Sequence, residues 1–496
     1  MLNQLPPPIF KYDVSDMNDL HRRISQWSDY ARIPKIELED VITGRNAIYR
    51  LPEAIRKLGV TVGSEIIVVM DDVKFIRNSE EAKPLIQDII KCCGYRVKPL
   101  VLKGDEYGQV HPDFKTIEQV LPALHKDCAV VSVGSGVVTD IAKHACFVWQ
   151  QENGFEGQLP LISCITANTV PAYASRFAII TKDGVKRTWP SRTPQILIMD
   201  YQLLCDCPLG LTVGGVGDTF PVFCSFADWY IADALGMADF LDASWRIMDD
   251  AKDLLIPYSA EIAQRSERGM EVLGKCLTLC GLTMTYARDS VPVSGFEHVM
   301  SHMLDMSAAA DGRKIGVHGQ QVGVAAIWSL IQFEMMIDYL DKNAGDIRID
   351  RCQPAKEDIE KQVMDVFAPI DATGAMGREC WNDVNQKLEN WYKARSKAES
   401  FLENWATHRK ALKQLLPFSA EQCAEALALS THPISPWEMD VPVSEERMRW
   451  ALRNARLMRK RFTSGDLVAF LGMYSEEWER KIVDRAAHIA KKNALS

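Results

Sequence analysis

Three of the ten histidines of the chain lie close together in sequence, between Glu297 and Gly319. His298 and His302 are four residues apart, and in a helix this spacing places both imidazoles on one face. His318 follows sixteen residues after His302. Converging imidazoles can bind one metal ion or one substrate. Because such a pair is also common in an ordinary helix core, the histidines by themselves leave both interpretations open.

A glycine-containing turn upstream is the second motif with possible chemistry. The apolar run Ala129–Val133 predicts a buried parallel strand, and a helical spacing follows the turn Gly134-Ser135-Gly136. A strand, a tight turn and a helix N-terminus together present backbone N–H groups to a phosphate. Glycine permits close approach of that phosphate. Thr139 departs from the GxGxxG pattern, so a simple strand-to-helix connection is the alternative interpretation.

An acidic strand end accompanies this turn. The run Glu65–Met70 predicts another buried strand, and it is followed by Asp71 and Asp72. A carboxylate at such a position can accept hydrogen bonds from a ribose and repel a 2′-phosphate. A helix cap or a solvated loop acid is the competing interpretation.

Composition limits the class of protein. The chain has 496 residues, of which 47% are hydrophobic and 25% charged, enough for two or three domains with sizeable cores. The formal net charge of −9 argues against a nucleic-acid-binding surface. The absence of a long apolar run or a signal-like N-terminus predicts no membrane span and no secretion. Thirteen scattered cysteines match no zinc spacing, so we expect reduced thiols in a cytoplasmic protein.

The pattern of elements changes near residue 200. Short apolar runs alternate with helical stretches before it, which predicts a doubly wound, Rossmann-like α/β domain over residues 1–200. A hairpin is expected over 177–188, with its turn at Asp183-Gly184. After Tyr201 the strand signals end, which predicts a helical domain over 201–496 and a cleft between the two. The expected strands of the sheet are Glu65–Met70, Arg96–Leu102, Ala129–Val133, Pro160–Ile165 and Gln195–Met199.

The order of several segments resembles one enzyme superfamily, that of iron-containing alcohol dehydrogenase, glycerol dehydrogenase and dehydroquinate synthase. The similarity is greatest to its glycerol-1-phosphate dehydrogenase branch. It spans most of the chain, although residues 340–430 look like additional helical sequence. The segments that carry it are Gly44–Ala47 with Leu51–Glu53, Gly134–Lys143, Asp183–Arg187, Gly215–Asp218 with Asp228–Trp229, Glu297–His302, His318–Gly319 and Met458–Leu467.

The resemblance implies an NAD(P)-dependent oxidoreductase that interconverts a small polyol or polyol phosphate and its ketone. It implies a Zn²⁺ or other divalent ion on His298 and His318, which would polarise the carbonyl. His302 would relay a proton or orient the site. The residues that the resemblance places around the cofactor are Asp71, which favours NAD over NADP, Gly134, Ser135, Gly136, Asp140, Thr166, Thr169 and Ser175.

The expected third metal ligand is missing from the segment where the motif would place it. Anchored on Ser175, the carboxylate position of the family motif is occupied by Pro171. Catalytic zinc sites normally have three protein ligands. Oxygen from Glu297, Asp218 or, more weakly, Asn168 is one solution. Loss of the metal, with a histidine or Tyr173 as general acid, is the other.

Three functions therefore compete. The first is a polyol or polyol-phosphate dehydrogenase, expected to be a homo-oligomer like most soluble enzymes. The second is a cyclase or lyase of the dehydroquinate synthase type with NAD cycling in place. The third is a metal-free sensor or assembly subunit that retains the nucleotide-binding fold.

Overall fold

A six-stranded, fully parallel sheet forms the centre of the N-terminal part of the chain. The computed structural model describes residues 5–182 and 185–494. The spatial order of the strands is β1-β10-β7-β6-β2-β5. These strands are β1 (Asp40–Gly44), β2 (Glu65–Asp71), β5 (Arg96–Leu102), β6 (Cys128–Gly134), β7 (Leu161–Ile165) and β10 (Ile196–Asp200).

Two short antiparallel pairs lie outside this sheet. They are β3 (Ile76–Arg77) with β4 (Glu80–Glu81), and β8 (Phe177–Lys182) with β9 (Val185–Pro190). The second pair corresponds to the expected hairpin, whose turn at Asp183-Gly184 lies outside the described residues.

Helices make up most of the remaining structure. Those interleaved with the strands, or directly before them, are α1 (Met17–Ile24), α2 (Leu51–Lys57), α3 (Ala82–Cys92), α4 (Phe114–Val120) and α5 (Gly136–Glu152). After β10 come α6 (Tyr201–Asp206), α7 (Leu209–Thr219), α8 (Ser225–Ala234), α9 (Asp242–Arg246), α10 (Asp249–Leu254), α11 (Ser259–Ala263) and α12 (Glu267–Ala287). The later helices are α13 (Phe296–Ala310), α14 (His318–Asn343), α15 (Lys356–Phe367), α16 (Ala375–Lys393), α17 (Arg395–Glu403), α18 (Trp405–Leu415), α19 (Ala420–Leu429), α20 (Glu445–Asn454), α21 (Ser464–Phe470) and α22 (Glu476–Asn493).

Short 3₁₀ helices connect these elements. They are Tyr30–Arg32, Ala47–Arg50, Leu121–Ala123, Pro171–Ala174, Phe220–Phe223, Val291–Val293, Ala344–Asp346, Ile349–Arg351, Pro436–Glu438 and Ala455–Leu457. Within the described residues no strand follows β10, so the predicted change to helical structure and the α/β plus all-α fold class are confirmed.

Both faces of the sheet are buried along β2, β6, β7 and β10, which explains why these strands read as continuous apolar runs. Side chains alternate between the faces along β2. Ile66, Val68 and Met70 belong to one apolar cluster, with residues of α2 and α3. Ile67 and Val69 belong to a second cluster, which α4 and α5 cover on the opposite face.

The strand order places a topological switch between β2 and β6. From β2 the chain moves outward to β5 on one side, and then returns to β6 on the other. Open α/β sheets bind ligands in the crevice at the carboxyl ends of the strands at such a point. Asp71 ends β2 and Gly134 ends β6, so two of the predicted cofactor segments meet there.

Contacts divide the chain into two compact units. The first contains the described residues up to Lys182, together with Lys186–Thr219 and Asp242–Ser290. The second contains Phe220–Leu241 and the chain from Val291 onward. The expected boundary at residue 200 coincides with the end of the last sheet strand, whereas the first unit also includes helices that follow it.

Two long apolar helical segments are mainly core elements by burial. Leu209–Ala234 and His318–Asp346 have the length and composition to span a membrane, but 83% and 78% of their most apolar windows are buried inside the protein. Burial of this kind is common for core helices of globular proteins. The expectation that the chain does not span a membrane remains a prediction.

The glycine turn after β6 is a packing requirement of the fold. A Cβ on Gly136 would lie 2.1 Å from Cγ2 of Val170, which is much too close. We predict that Gly136→Ala lowers the free energy of unfolding by about 1–3 kcal/mol, the usual cost of overpacking. Chemical denaturation measures this change. Gly210→Ala is the matched control, because a Cβ at that position of α7 meets no atom within 4 Å. Equal stability of the two variants would contradict the prediction.

Candidate active site

Two buried carboxylates organise the start of α13, the helix that carries His298. The amide of Gly295 donates to Oε1 of Glu297 at 2.6 Å, and the amide of Phe296 donates to Oδ2 of Asp228 at 2.7 Å. These bonds satisfy two backbone donors that a helix start leaves without partners. A Cβ on Gly295 would lie 2.4 Å from the Asp228 carboxylate, so only glycine fits between the two acids.

Glu297 also fixes the orientation of His298. Its Oε1 lies 3.0 Å from Nδ1 of His298. Burial alone would raise the pKa of Glu297, but hydrogen bonds from His298 and the Gly295 amide outweigh it, and the pKa is lowered. An ionised carboxylate only accepts hydrogen bonds, so Nδ1 of His298 carries the proton and Nε2 offers a lone pair. This carboxylate–histidine arrangement is typical of metal-binding histidines.

Asp228 carries the electrostatic consequence of this arrangement. Burial, followed by repulsion from Glu297, raises the pKa of Asp228 to about 7. Its Oδ1 accepts a hydrogen bond from the amide of Ser464 and its Oδ2 accepts one from the amide of Phe296. The carboxyl group of Asp228 therefore joins α8 to the starts of both α13 and α21.

His318 is positioned in an analogous way as the first residue of α14. Its Nδ1 lies 3.0 Å from Oγ of Ser301, whose hydroxyl donates to Oε1 of Gln321 at 2.8 Å. Because Ser301 uses its proton on Gln321, the hydroxyl oxygen accepts from Nδ1 of His318. Nε2 of His318 is thereby left as a lone-pair donor. Asp440 holds the helix start by accepting from the amide of Val317.

The three histidine rings form one group, as the sequence spacing indicated. The ring centroids of His298 and His318 are 5.3 Å apart, and those of His302 and His318 are 5.4 Å apart with nearly parallel planes. His298 and His302 are 6.2 Å apart on the same face of α13. Their convergence favours a shared ligand over separate core packing.

Asp218 completes a three-residue donor set. Its carboxylate and one ring nitrogen each of His298 and His318 all lie within 4.8 Å of one another. Asp218 lies near the end of α7 and directly follows the glycine-rich residues 214–217. A Cβ on Gly215 would lie 2.0 Å from the carbonyl oxygen of Asn168, so glycine is required for α7 to approach this loop.

This donor set fits a divalent metal ion. Two neutral imidazoles with Nε2 lone pairs and one carboxylate match the ligands of catalytic zinc and non-haem iron sites. Hydrogen bonds to Glu297 and Ser301 already orient the two imidazoles. Pro171 offers no ligand atom at the position where the family motif has a carboxylate, and Asp218 is the carboxylate that lies near both histidines. Pro171 begins a 3₁₀ helix, and the carbonyl oxygen of Pro171 faces Gly281 of α12. Asp218 was among the alternatives that the sequence left open.

His302 has a different partner from the other two histidines. Its Nδ1 lies 2.9 Å from Nη2 of Arg459. Arginine has no acceptor, so Nδ1 of His302 accepts and Nε2 carries the proton. His302 is therefore a neutral hydrogen-bond donor, and it is not one of the three residues of the candidate donor set.

The predicted cofactor residues cluster at the carboxyl ends of β2, β6 and β7. Asp71 binds Lys83 through an ion pair, and its Oδ1 also accepts from the amide of Val73 at 3.0 Å. The amide of Thr166 donates to the carbonyl of Gly134 at 3.1 Å, which ties β7 to the turn. Within the described part of the chain, Oγ1 of Thr166 is buried without a hydrogen-bond partner. A buried hydroxyl without such a partner at the end of a strand is suited to form a hydrogen bond with a bound ligand.

Ser135 caps α5 through its backbone only. Its side chain makes no capping hydrogen bond, while its carbonyl accepts from the amide of Thr139 at 3.1 Å. The first turn of α5 therefore presents backbone amides at the switch point. This geometry fits the diphosphate of a dinucleotide.

Asp140, in contrast, lies beneath the turn and is fully buried. Its Oδ1 is 2.8 Å from Nζ of Lys143, and its Oδ2 accepts from the amide of Ile179. Lys143 also donates to the carbonyls of Ala172 and Ser175. Burial raises the pKa of Asp140 and lowers that of Lys143. These contacts support a structural role, in which the pair holds the segment after β7 against α5.

Hydrogen bonds within that segment engage its other predicted residues. The hydroxyl of Tyr173 donates to the carbonyl of Ala167 and accepts from the amide and hydroxyl of Thr169. Burial raises the pKa of Tyr173. Oγ of Ser175 accepts from the amide of Phe177 at 3.1 Å. Tyr173 thus shapes the loop, and its contacts do not favour the role of general acid.

Comparison with known proteins identifies the family. A family model described as iron-containing alcohol dehydrogenase matches residues 42–208. The chain is 30% identical over 303 residues to a glycerol-1-phosphate dehydrogenase [NAD(P)+] of Thermofilum pendens, covering 60% of this chain and 78% of that one. The chain belongs to the iron-containing alcohol dehydrogenase family. As a member it is an NAD(P)-dependent oxidoreductase.

Further relatives agree in sequence and in fold. A glycerol-1-phosphate dehydrogenase [NAD(P)+] of Bacillus velezensis is 29% identical over 292 residues, which are 58% of this chain and 70% of that one. The crystal structure of glycerol dehydrogenase from Schizosaccharomyces pombe has a TM-score of 0.52 at 15% identity, with 91% of this chain and 92% of that one covered. The structural likeness shows the fold alone.

Asp218 is the first residue whose role can be tested. We predict that Asp218→Asn, which keeps the shape but removes the charge, weakens divalent-metal binding. The loss should exceed the factor of about 10 to 100 that is typical when a residue that only orients a metal ligand is replaced. Metal content after dialysis, measured by mass spectrometry, gives the result. Pro171→Ala is the matched control and should retain its metal. Metal loss in the proline variant with retention in the asparagine variant would contradict the assignment.

The role of Glu297 in orienting His298 can be tested separately. We predict that Glu297→Gln lowers metal affinity about 10- to 100-fold, because the neutral amide supports His298 less strongly. Competition with a chelator measures the affinity, and circular dichroism checks folding. Glu399→Gln, which alters only an exposed pair with Arg395, serves as control. Unchanged affinity in Glu297→Gln would rule out this role.

Proposed function

We propose that this protein interconverts a small polyol phosphate of the glycerol-1-phosphate type and its ketone, with NAD(P) as hydride carrier. The metal-binding set of Asp218, His298 and His318 is the observation that carries the proposal. It supplies the three ligands that the family chemistry needs, and relatives named glycerol-1-phosphate dehydrogenase support the substrate class. A metal-free sensor is disfavoured because the donor set and its orienting bonds are all present.

The metal-binding residues have defined roles in this mechanism. Asp218, His298 and His318 would hold a divalent ion, which would polarise the substrate carbonyl and stabilise the negative charge that develops on its oxygen. Glu297 and Ser301 hold the two imidazoles in the tautomer that carries its lone pair on Nε2. This pre-orientation reduces the reorganisation that binding would otherwise require.

His302 acts as a hydrogen-bond donor in this proposal. Arg459 occupies its Nδ1, so the ring stays neutral and presents Nε2–H. A neutral imidazole stabilises charge on a substrate oxygen by donation, as in other enzymes that use it as an electrophile. Loss of the remaining N–H proton from a neutral imidazole is unfavourable, because it would leave an anion. Orientation of the substrate oxygen is therefore favoured over the proton relay that the sequence also suggested.

The cofactor is assigned to the switch point of the sheet. Bound there, NAD(P) would supply or accept the hydride. The turn Gly134-Ser135-Gly136 and the first turn of α5 bind its diphosphate, and Thr166 contributes a buried hydroxyl. Asp71 faces the ribose side, where its ion pair with Lys83 reduces its repulsion of a 2′-phosphate. We therefore propose use of both NAD and NADP, with NAD preferred.

The remaining assignments concern the setting of the enzyme. We propose a cytoplasmic homo-oligomer that acts on a small molecule. The described residues include all thirteen cysteines, none of which forms a disulfide, as is usual for a protein in a reducing compartment.

Purified protein provides the direct test. We predict that dihydroxyacetone phosphate causes loss of NADH absorbance, and that stripping the metal with a chelator lowers the rate at least about 100-fold. Re-addition of Zn²⁺ or Fe²⁺ to the stripped protein should restore activity. Heat-treated protein is the control.

Other results would exclude the proposal. An active stripped enzyme would remove the metal from the mechanism. A metal-loaded enzyme that consumes no NADH or NADPH with phosphorylated ketones would contradict the proposed reaction. Tightly retained NAD without net turnover would instead favour a cyclase or lyase.

A further inference from the structure

A run of three cations lies next to the histidine group, and its only role so far is the contact of Arg459 with His302. Arg459, Lys460 and Arg461 follow one another in the segment before α21. Nη2 of Arg459 is 2.9 Å from Nδ1 of His302, whose ring stacks on that of His318. The guanidinium is thus separated by one imidazole from a predicted metal ligand.

We propose that Arg459 binds the phosphate of the substrate and sets the preference for phosphorylated polyols. This inference rests on the proposed function, because it assumes that the substrate oxygen lies at the metal. In a glycerol-phosphate-type ketone, only a methylene and an ester oxygen separate the carbonyl carbon from phosphorus. The phosphate must therefore bind close to the histidine group.

The chemistry of arginine suits this position. A guanidinium has five N–H donors, so it can hold His302 and bind a phosphate at the same time. Its planar fork matches phosphate oxygens, and hydrogen bonds between charged groups are stronger than neutral ones. The same side chain thus connects the neutral tautomer of His302 with recognition of the substrate.

The segment that carries Arg459 is held from both ends by α16. Nζ of the buried Lys387 is 2.7 Å from Oδ1 of Asp466, and it also donates to the carbonyl oxygen of Arg456. Trp391, one turn further along α16, stacks on Phe462 with ring centroids 5.8 Å apart. α16 belongs to the additional helical sequence at 340–430, so these helices pre-organise the proposed phosphate site.

A second basic place on the protein is less suitable. A cavity of about 290 Å³ is lined by Arg313, Lys314 and Arg447. Asp311 pairs with Arg313 at 2.6 Å and with Arg447 at 3.6 Å, so a phosphate bound in this cavity would lie near a carboxylate. This cavity reaches His318 only through Gln321 and Ser301.

Paired substrates test the assignment in the metal-loaded enzyme. Arg459→Gln should lower kcat/KM for dihydroxyacetone phosphate about 10- to 100-fold more than for dihydroxyacetone, as expected for loss of a charged hydrogen bond. Lys460→Gln is the matched control, since Lys460 is exposed and adjacent. Arg459→Lys should recover part of the difference because it keeps the charge. Calorimetry with inorganic phosphate should show binding to wild type and Lys460→Gln, and much weaker binding to Arg459→Gln.

The possible outcomes separate this inference from the proposed function. Equal losses on both substrates would show that Arg459 only positions His302, and would overturn the phosphate site while the dehydrogenase stands. A selective loss in Arg447→Gln would assign the phosphate to the cavity and also overturn it. If wild type fails to reduce any phosphorylated ketone, the proposed function fails, and phosphate calorimetry still decides the site. Metal content and the thermal midpoint of each variant exclude unfolding as the cause.

Discussion

The hydrogen bond between the buried Glu297 carboxylate and His298 is the contact on which the active-site region depends. It fixes the tautomer of His298, a candidate metal ligand, and the same carboxylate satisfies a backbone donor at the start of α13. Asp228 lies beside it and secures the starts of α13 and α21. Because unpaired buried charge is costly, these acids, their amides and the histidine must keep their positions together. The helix start and the metal site are therefore one structural unit.

Close packing gives the cofactor region its form in the same way. The turn Gly134-Ser135-Gly136 has glycine partly because Val170 occupies the space that a Cβ on Gly136 would need. The Asp140–Lys143 pair below it holds the segment after β7 by hydrogen bonds to two carbonyl oxygens. Residues that resemble a cofactor motif thus divide into a group facing the switch point and a group supporting it. Their identity in sequence alone does not separate these roles.

The additional helices have a defined relationship to the histidine group. Lys387 and Trp391 of α16 fix the basic segment that places Arg459 on His302. The sequence relatives cover only about three fifths of this chain, so part of its length has no counterpart in them. A helical addition that contacts the segment next to the active site can stabilise local geometry without supplying a reacting group.

The sequence by itself determined the fold class, five of the six sheet strands and the shared helix face of His298 and His302, whereas β1 was not among the expected strands. Continuous apolar runs, glycine turns and a four-residue histidine spacing are local signals, and they survive in any fold that satisfies them. Only the tertiary structure points to Asp218 as the candidate third ligand, because Asp218 is 80 residues from His298 in the chain. Tertiary contacts likewise decide the structural roles of Tyr173 and Asp140 and the tautomer of His302. Whether a polar group faces a ligand or a buried partner depends on long-range contacts, and no local pattern encodes those contacts.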